Sequence, residues 1–154
     1  MHREIDETIV RSNEENAARQ IRTIGFTADL GIELTHLDPG VCECRLRMEP
    51  RHMNTLNIGH GGVLYALADT ASSLAAASYG GGGTTVQGSI DYLRPARSQV
   101  VTCRAKVVKF GSHLIWTDAE ITGDDKVLCR AQFIHYQLEG AVNFGIEQVY
   151  KQDE

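Results

Sequence analysis

The sequence has few prolines, few aromatic residues and no long uninterrupted run of apolar residues. Three prolines are spread over 154 residues, and aromatic side chains make up only 6% of them. Because no proline- or serine-rich linker divides the chain, its length suits one domain with a single core. Residues 1–10 alternate charged and aliphatic side chains, which does not resemble a signal peptide. We therefore predict a cytoplasmic protein that neither spans nor binds a membrane.

Basic residues and metal-binding motifs are also scarce. The chain has 15 Lys and Arg residues and 20 Asp and Glu residues, and the net charge of −5 argues against nucleic-acid binding. The four cysteines fall in predicted strands without a CxxC or a paired Cys/His spacing. They are Cys42, Cys44, Cys103 and Cys129. This pattern favours reduced cysteines in the core over a metal site.

The most informative stretch is residues 54–79, where a glycine-marked turn leads into one long apolar helix. Residues 63–77 are almost all small or aliphatic at helical spacing, so this helix must be buried. Asp69 lies in its middle, and a carboxylate there is costly unless it is hydrogen-bonded or takes part in chemistry. Residues 59–62 read Gly-His-Gly-Gly, which lets a ligand approach the free N–H groups at the helix start. The stretch predicts a site that polarises an electrophile.

Strand patterns lie on both sides of this helix. Residues 4–23 are predicted to be helical, and two strands, at 26–37 and 42–49, precede the long helix. Four further strands follow, at 84–93, 99–110, 113–122 and 126–138. Because the strands do not alternate with helices, we predict an α+β fold with an antiparallel sheet packed on the helix. The predicted division is an N-terminal helical segment (1–24), a main domain (25–138) and a tail (139–154).

Two motifs resemble those of a known family. Asn54, His60-Gly61-Gly62 and Asp69 form the pattern N-x5-HGG-x6-D, and Tyr92-Leu93-Arg94-Pro95-Ala96 follows at the end of a strand. Together with the element order, residues 25–138 resemble the hotdog-fold acyl-CoA thioesterases of the phenylacetate-degradation (PaaI-like) group. The resemblance implies a sheet of five to six strands wrapped around one central helix. It also implies homodimers, commonly paired as dimers of dimers, and no metal or redox cofactor, since coenzyme A is part of the substrate.

The resemblance assigns catalytic roles to three residues. Asp69 would act as the general base or nucleophile towards a thioester, and Gly61 would donate its N–H to the thioester oxygen. Asn54 would orient the attacking water or the carbonyl, although ordinary turn capping explains this residue equally well. The other two assignments also have structural alternatives. Asp69 could be hydrogen-bonded to Ser73 one turn on or to the backbone of a partner helix, and Gly61 could serve close helix packing.

Six further residues are expected around the substrate. His60 would mainly hold the loop and the helix start in place, and Thr85 would bond the acid or its water. Arg94 and Arg97 are the candidate cations for coenzyme A, which an acidic protein needs locally. The expected set is His60, Gly62, Ser73, Thr85, Arg94 and Arg97.

The spacing of Gly61 and Asp69 gives an independent reason to expect two subunits. They are eight residues apart, so they lie about 12 Å apart along one helix. A reacting carbon must lie within about 3.5 Å of its attacking atom, so one chain does not easily place both groups on one carbonyl. Two antiparallel helices across a two-fold axis would bring one helix start level with the middle of the other. A homodimer with two equivalent sites is therefore expected.

Two other function classes remain open. The first is a hotdog protein that binds acyl-CoA without catalysis, and the second is a hotdog dehydratase or hydratase that pairs a His with an acid. The acyl group, and the choice between water activation and a covalent anhydride, are not determined by these residues.

Overall fold

The computed structural model describes residues 4–138 and 145–151. Its helices are α1 (Glu7–Thr23), α2 (Gly25–Leu30) and α3 (Gly61–Ala77), with a 3-10 turn at Pro50–His52. Its strands are β1 (Glu33–Asp38), β2 (Val41–Arg47), β3 (Gly82–Tyr92), β4 (Val100–Phe110), β5 (Leu114–Gly123) and β6 (Lys126–Leu138).

The six strands form one antiparallel sheet around α3. Their order is β1-β2-β4-β5-β6-β3, so β1 and β3 are the edges, and α3 contacts all six strands. Leu64, Leu67 and Leu74 of this helix are at most 2% exposed, and burying each such side chain contributes about 1.5–3 kcal/mol. The predicted α+β fold, with a sheet wrapped around one central helix, is confirmed.

The four cysteines belong to the core, as predicted. All four are free and fully buried, and Cys42 Sγ lies 3.7 Å from Cys44 Sγ on β2. Burial raises the pKa of Cys42 and of Cys103 well above the ordinary value and raises the pKa of Cys129 to about 11. The thiols of Cys42, Cys103 and Cys129 are therefore uncharged, and all four cysteines pack on the inner face of the sheet.

The strand predicted over 26–37 is wrong in its first half. That half forms α2, and only Glu33–Asp38 is a strand. Apolar residues occupy the even positions from 26 to 34, as they would in a strand, but Gly31 adopts a left-handed conformation with φ of 81° and donates to the carbonyls of Thr27 and Ala28. A glycine in this position ends a helix. Phe26, which a strand would have buried, is 65% exposed.

Residues 145–151 pack beside α1 and the residue segment that precedes it. Asn13 on α1 exchanges two hydrogen bonds of 2.8 Å with the backbone of Glu147. Ile5 pairs with Tyr150, and Ile146 and Val149 are fully buried. The predicted tail therefore packs on α1 over residues 145–151, while residues 139–144 and 152–154 lie outside the described part. The proposed division at residues 24 and 138 stays a prediction.

Among the helices of residues 4–138 and 145–151, none is long and apolar enough to cross a membrane. The cytoplasmic location stays a prediction.

Candidate active site

A buried histidine fixes the loop that leads into α3. His52 Nδ1 accepts from Glu49 N at 3.0 Å, so its Nε2 carries the hydrogen and donates to Leu30 O at 2.8 Å. The His52 carbonyl accepts from His60 N at 2.8 Å. Hydrogen bonds thereby connect the loop both to the end of α2 and to His60, the residue that precedes α3.

Asn54 caps a turn inside this loop. Its Oδ1 accepts from Leu56 N at 2.9 Å and from Ile58 N at 3.3 Å. This is the structural alternative considered for Asn54, and it uses only the oxygen of the side chain. The Nδ2 group has no partner among the described residues and remains free to donate.

The first turn of α3 leaves one N–H group open. His60 is the N-cap: its Nδ1 accepts from Gly62 N at 2.9 Å, and its carbonyl accepts from Val63 N and Leu64 N. In the described part of the chain, the Gly61 N–H has no acceptor. The N-terminal end of the helix dipole adds a positive potential at this group. Gly61 N is therefore placed to receive an anionic or polarised oxygen, and His60 holds the helix start as expected.

A tyrosine on β3 braces the same turn. Tyr92 Oη donates to the Gly61 carbonyl at 2.7 Å. A Cβ on Gly61 would lie 3.0 Å from that hydroxyl, so the glycine permits this close approach. Gly61 therefore packs closely against a side chain of β3, beside its open N–H.

Asp69 faces the β3 edge of the sheet. Its Oδ1 accepts from Thr85 Oγ1 at 2.7 Å, so Thr85 lies where it was expected, on the acid. The partner is not Ser73, which instead lines a small cavity between α3 and the glycine run at 80–83. Asp69 and Gly61 lie on the same helix, about 12 Å apart along its axis, so the chain alone does not bring them together.

His135 on β6 joins this site and was missed by the sequence analysis. Its Nδ1 lies 3.3 Å from Thr85 Oγ1, and its Nε2 lies 3.3 Å from Thr117 Oγ1 on β5. It is 2% exposed, and burial lowers its pKa below the ordinary value, partly opposed by the Asp69 charge. The sequence signal was its position, because His135 continues the inward-facing series of Cys129, Ala131 and Phe133.

The lowered pKa of His135 predicts a pH-dependent stability. Because the folded protein holds this imidazole neutral, it binds fewer protons than the unfolded chain just below pH 6.5. The stabilisation is fully present above that pH and is lost as the pH falls through the folded-state pKa. The free energy of unfolding, measured with urea between pH 7.5 and 5, should fall more steeply for the wild type than for His135→Asn. Equal slopes would contradict the prediction, since the other ionisable groups are common to both proteins.

The two arginines lie just beyond β3. Arg94 Nη1 donates to the Val127 carbonyl at 2.7 Å, which anchors this side chain against β6. Arg97 is exposed, and no partner holds its guanidinium within the described residues. Arg97 is therefore the freer of the two cations.

A broad surface depression lies on the opposite face of the sheet. Seven of its thirteen lining residues are charged, and four of these form two ion pairs, Arg104 with Glu43, and Arg130 with Glu120 at 3.4 Å. Such exposed pairs are typical of a solvated sheet face. We therefore place the candidate site at α3 and β3. Within residues 4–138 and 145–151, no three His, Cys, Asp or Glu side chains are grouped as metal ligands.

Residues 56–135 match the family model of the thioesterase superfamily. Acyl-coenzyme A thioesterase 13 of Homo sapiens is 31% identical over 119 residues, which cover 75% of this chain and 85% of that protein. The segment matched by the family model includes the helix start, Asp69, Thr85 and His135.

Solved structures give the same result. The PaaI protein of the phenylacetic acid degradation operon of E. coli superposes with a TM-score of 0.81 and 25% identity, covering 88% of this chain and 99% of that one. A thioesterase protein from Streptococcus pneumoniae, solved with coenzyme A, has a TM-score of 0.68 and 27% identity, covering 73% and 91% of the two chains. With the sheet wrapped around α3 and the HGG helix start, these matches show that the chain belongs to the thioesterase superfamily, in its hotdog-fold, PaaI-like group.

Proposed function

We propose that the protein hydrolyses an acyl- or aryl-acyl-CoA thioester to the free acid and coenzyme A. The observation that carries the proposal is the open Gly61 N–H at the start of an apolar helix, with the Asp69 carboxylate held by Thr85 further along the same helix. The first group stabilises an oxyanion and the second takes a proton from water. Binding alone would not require the carboxylate.

The proposed chemistry needs only these groups and water. Asp69 removes a proton as the water oxygen attacks the thioester carbon, and the carbonyl electrons move to the oxygen that Gly61 N–H stabilises. Collapse of this intermediate breaks the carbon–sulfur bond, and the thiolate of coenzyme A takes up the proton. In the alternative, Asp69 attacks directly, and water then hydrolyses the anhydride. Asn54, through its free Nδ2, would orient the water or the carbonyl.

Two subunits are needed to assemble this site. Within residues 4–138 and 145–151, the edge strand β3 pairs only with β6, and its exposed Val86 and Tyr92 are 54% and 50% accessible. An exposed edge of eleven residues favours pairing with another strand. We propose that two copies join through β3, so that Gly61 of one subunit faces Asp69 of the other, with dimers pairing further into tetramers.

The substrate class follows from charge and from the relatives. The relatives named above include an acyl-coenzyme A thioesterase and a structure holding coenzyme A. In this chain, Arg97 and Arg94 would meet the phosphates, with Gly62 and Ser73 beside the acyl group. No metal or redox cofactor has a part in the proposed steps.

Thiol release from a panel of CoA esters tests the proposal. Short-chain, long-chain and aryl-acyl CoA esters would be incubated with the protein, and free thiol followed with a chromogenic reagent. Turnover of at least one ester is expected, and the ester with the highest rate of thiol release identifies the acyl class. If no ester is turned over while CoA still raises the melting temperature, the protein is a binding module and the proposal fails.

A further inference from the structure

The hydroxyl of Thr85, which has a single hydrogen to donate, lies between two polar groups. It contacts Asp69 Oδ1 at 2.7 Å and His135 Nδ1 at 3.3 Å. A carboxylate accepts only, so the hydrogen goes to Asp69. The contact with His135 then needs the hydrogen on Nδ1, with the hydroxyl oxygen as acceptor.

The contact of the other ring nitrogen is compatible with the same tautomer. When Nδ1 of a neutral imidazole carries the hydrogen, Nε2 is a bare acceptor. Thr117 Oγ1 lies 3.3 Å from that nitrogen, and its alternative acceptor, the Phe133 carbonyl, lies 3.5 Å away. In this tautomer Thr117 donates to Nε2, the nearer of its two acceptors. Both Thr117 and His135 are at most 2% exposed, so water does not compete for these bonds.

We propose that His135 is a positioning residue for the carboxylate: with Thr117 and Thr85 it forms a one-directional series of hydrogen bonds that ends on Asp69. The direction runs from Thr117 to His135, from His135 to Thr85 and from Thr85 to Asp69. With the opposite tautomer, Nδ1 would compete for the Thr85 hydrogen and turn an oxygen lone pair towards the carboxylate. The series thereby fixes Oδ1 of Asp69 and leaves Oδ2 for the attacking water. The kinetic part of this inference rests on the proposed thioesterase function.

Two amide substitutions distinguish a positioning role of His135 from a packing role. The amide nitrogen of Asn can occupy the place of Nδ1, whereas that of Gln reaches the place of Nε2. Both substitutions remove the ring, so both lose similar packing against Phe133, whose ring centre lies 6.2 Å away. His135→Asn keeps a donor for Thr85, and His135→Gln does not.

We expect a loss of kcat in His135→Gln that is largely absent in His135→Asn. His135→Gln should lower kcat about tenfold, the effect of one hydrogen bond to the hydroxyl, with KM little changed. His135→Asn should retain most of the wild-type kcat at a similar melting temperature. If both variants lose kcat equally, or if the loss falls on KM, the positioning role is overturned.

Nitrogen-15 NMR of the imidazole tests the same inference without turnover. At pH 7.5 the wild type should show the neutral Nδ1–H tautomer of His135, the less populated form of free histidine in water. Thr117→Val, which removes the donor to Nε2, should shift the equilibrium towards the Nε2–H form. An Nε2–H tautomer in the wild type would overturn the proposal even for an active enzyme. Conversely, the Nδ1–H form in a protein without thiol release would mean that the proposed function has failed, not the hydrogen-bond series.

Discussion

Asp69→Asn should lower kcat for thioester hydrolysis by about a hundredfold or more, the usual contribution of a positioned general base. Asparagine has the size of aspartate and still accepts from Thr85 through its oxygen, so the bond of 2.7 Å is kept. What is lost is the ability to take a proton from water or to attack the carbonyl. The measurement is the rate of thiol release with the best ester of the panel, together with the dissociation constant of a non-hydrolysable CoA analogue, which should change little.

A second aspartate provides the matched control. Asp118 on the outer face of the sheet also accepts one side-chain hydrogen bond, from Gln132 at 3.1 Å. Asp118→Asn keeps that acceptor and makes the same change of charge away from α3. We expect wild-type kcat for this variant. Equal rates for Asp69→Asn and wild type would show that the carboxylate is structural.

Gly61→Pro should lower kcat/KM by about a hundredfold to a thousandfold, the range found when one oxyanion donor is removed. Proline has no N–H, and the first position of a helix tolerates it because that N–H is not used in the helix. The preceding residue must be extended, and His60 already is, with φ of −64° and ψ of 132°. The substitution therefore removes the proposed donor without a need to break α3. Steady-state kinetics and the far-ultraviolet circular dichroism spectrum would check both parts.

Gly61→Ala is the control for steric effects. It adds a Cβ at the same place, 3.0 Å from the Tyr92 hydroxyl, but keeps the N–H. The proline variant should lose much more activity than the alanine variant. A comparable loss in both would mean that crowding against Tyr92, and not the N–H, explains the effect.

The parts of the site that the sequence predicted are those that depend on one short segment. The helix start at His60-Gly61-Gly62 and the position of Asp69 follow from glycine content and from helical spacing in residues 54–79. The α+β architecture followed in the same way, from the order of the predicted strands around one helix. Local patterns of this kind need no knowledge of which strands become neighbours.

The parts that were missed depend on pairing between distant strands. His135 reaches Thr85 because β3 and β6 pair with these two residues opposite each other, and Thr117 joins them from β5. Order along the chain does not fix that register. The helix α2 was missed for another reason: its apolar residues mimic a strand, and Gly31 ends it in a conformation that only the three-dimensional structure reveals.

In the proposed dimer, each site combines Gly61 of one subunit with Asp69 of the other. The activity of mixed subunits measures directly whether these two groups act together. Asp69→Asn and Gly61→Pro would be mixed in equal amounts and allowed to exchange subunits, or co-expressed. In a heterodimer one site has both wild-type groups and the other has neither, so random pairing restores about a quarter of wild-type activity. We expect this recovery of activity from a mixture of two nearly inactive proteins. If the mixture keeps only the averaged residual activity of its components after subunit exchange is verified, the two groups do not meet across a subunit interface, and the proposed mechanism is contradicted.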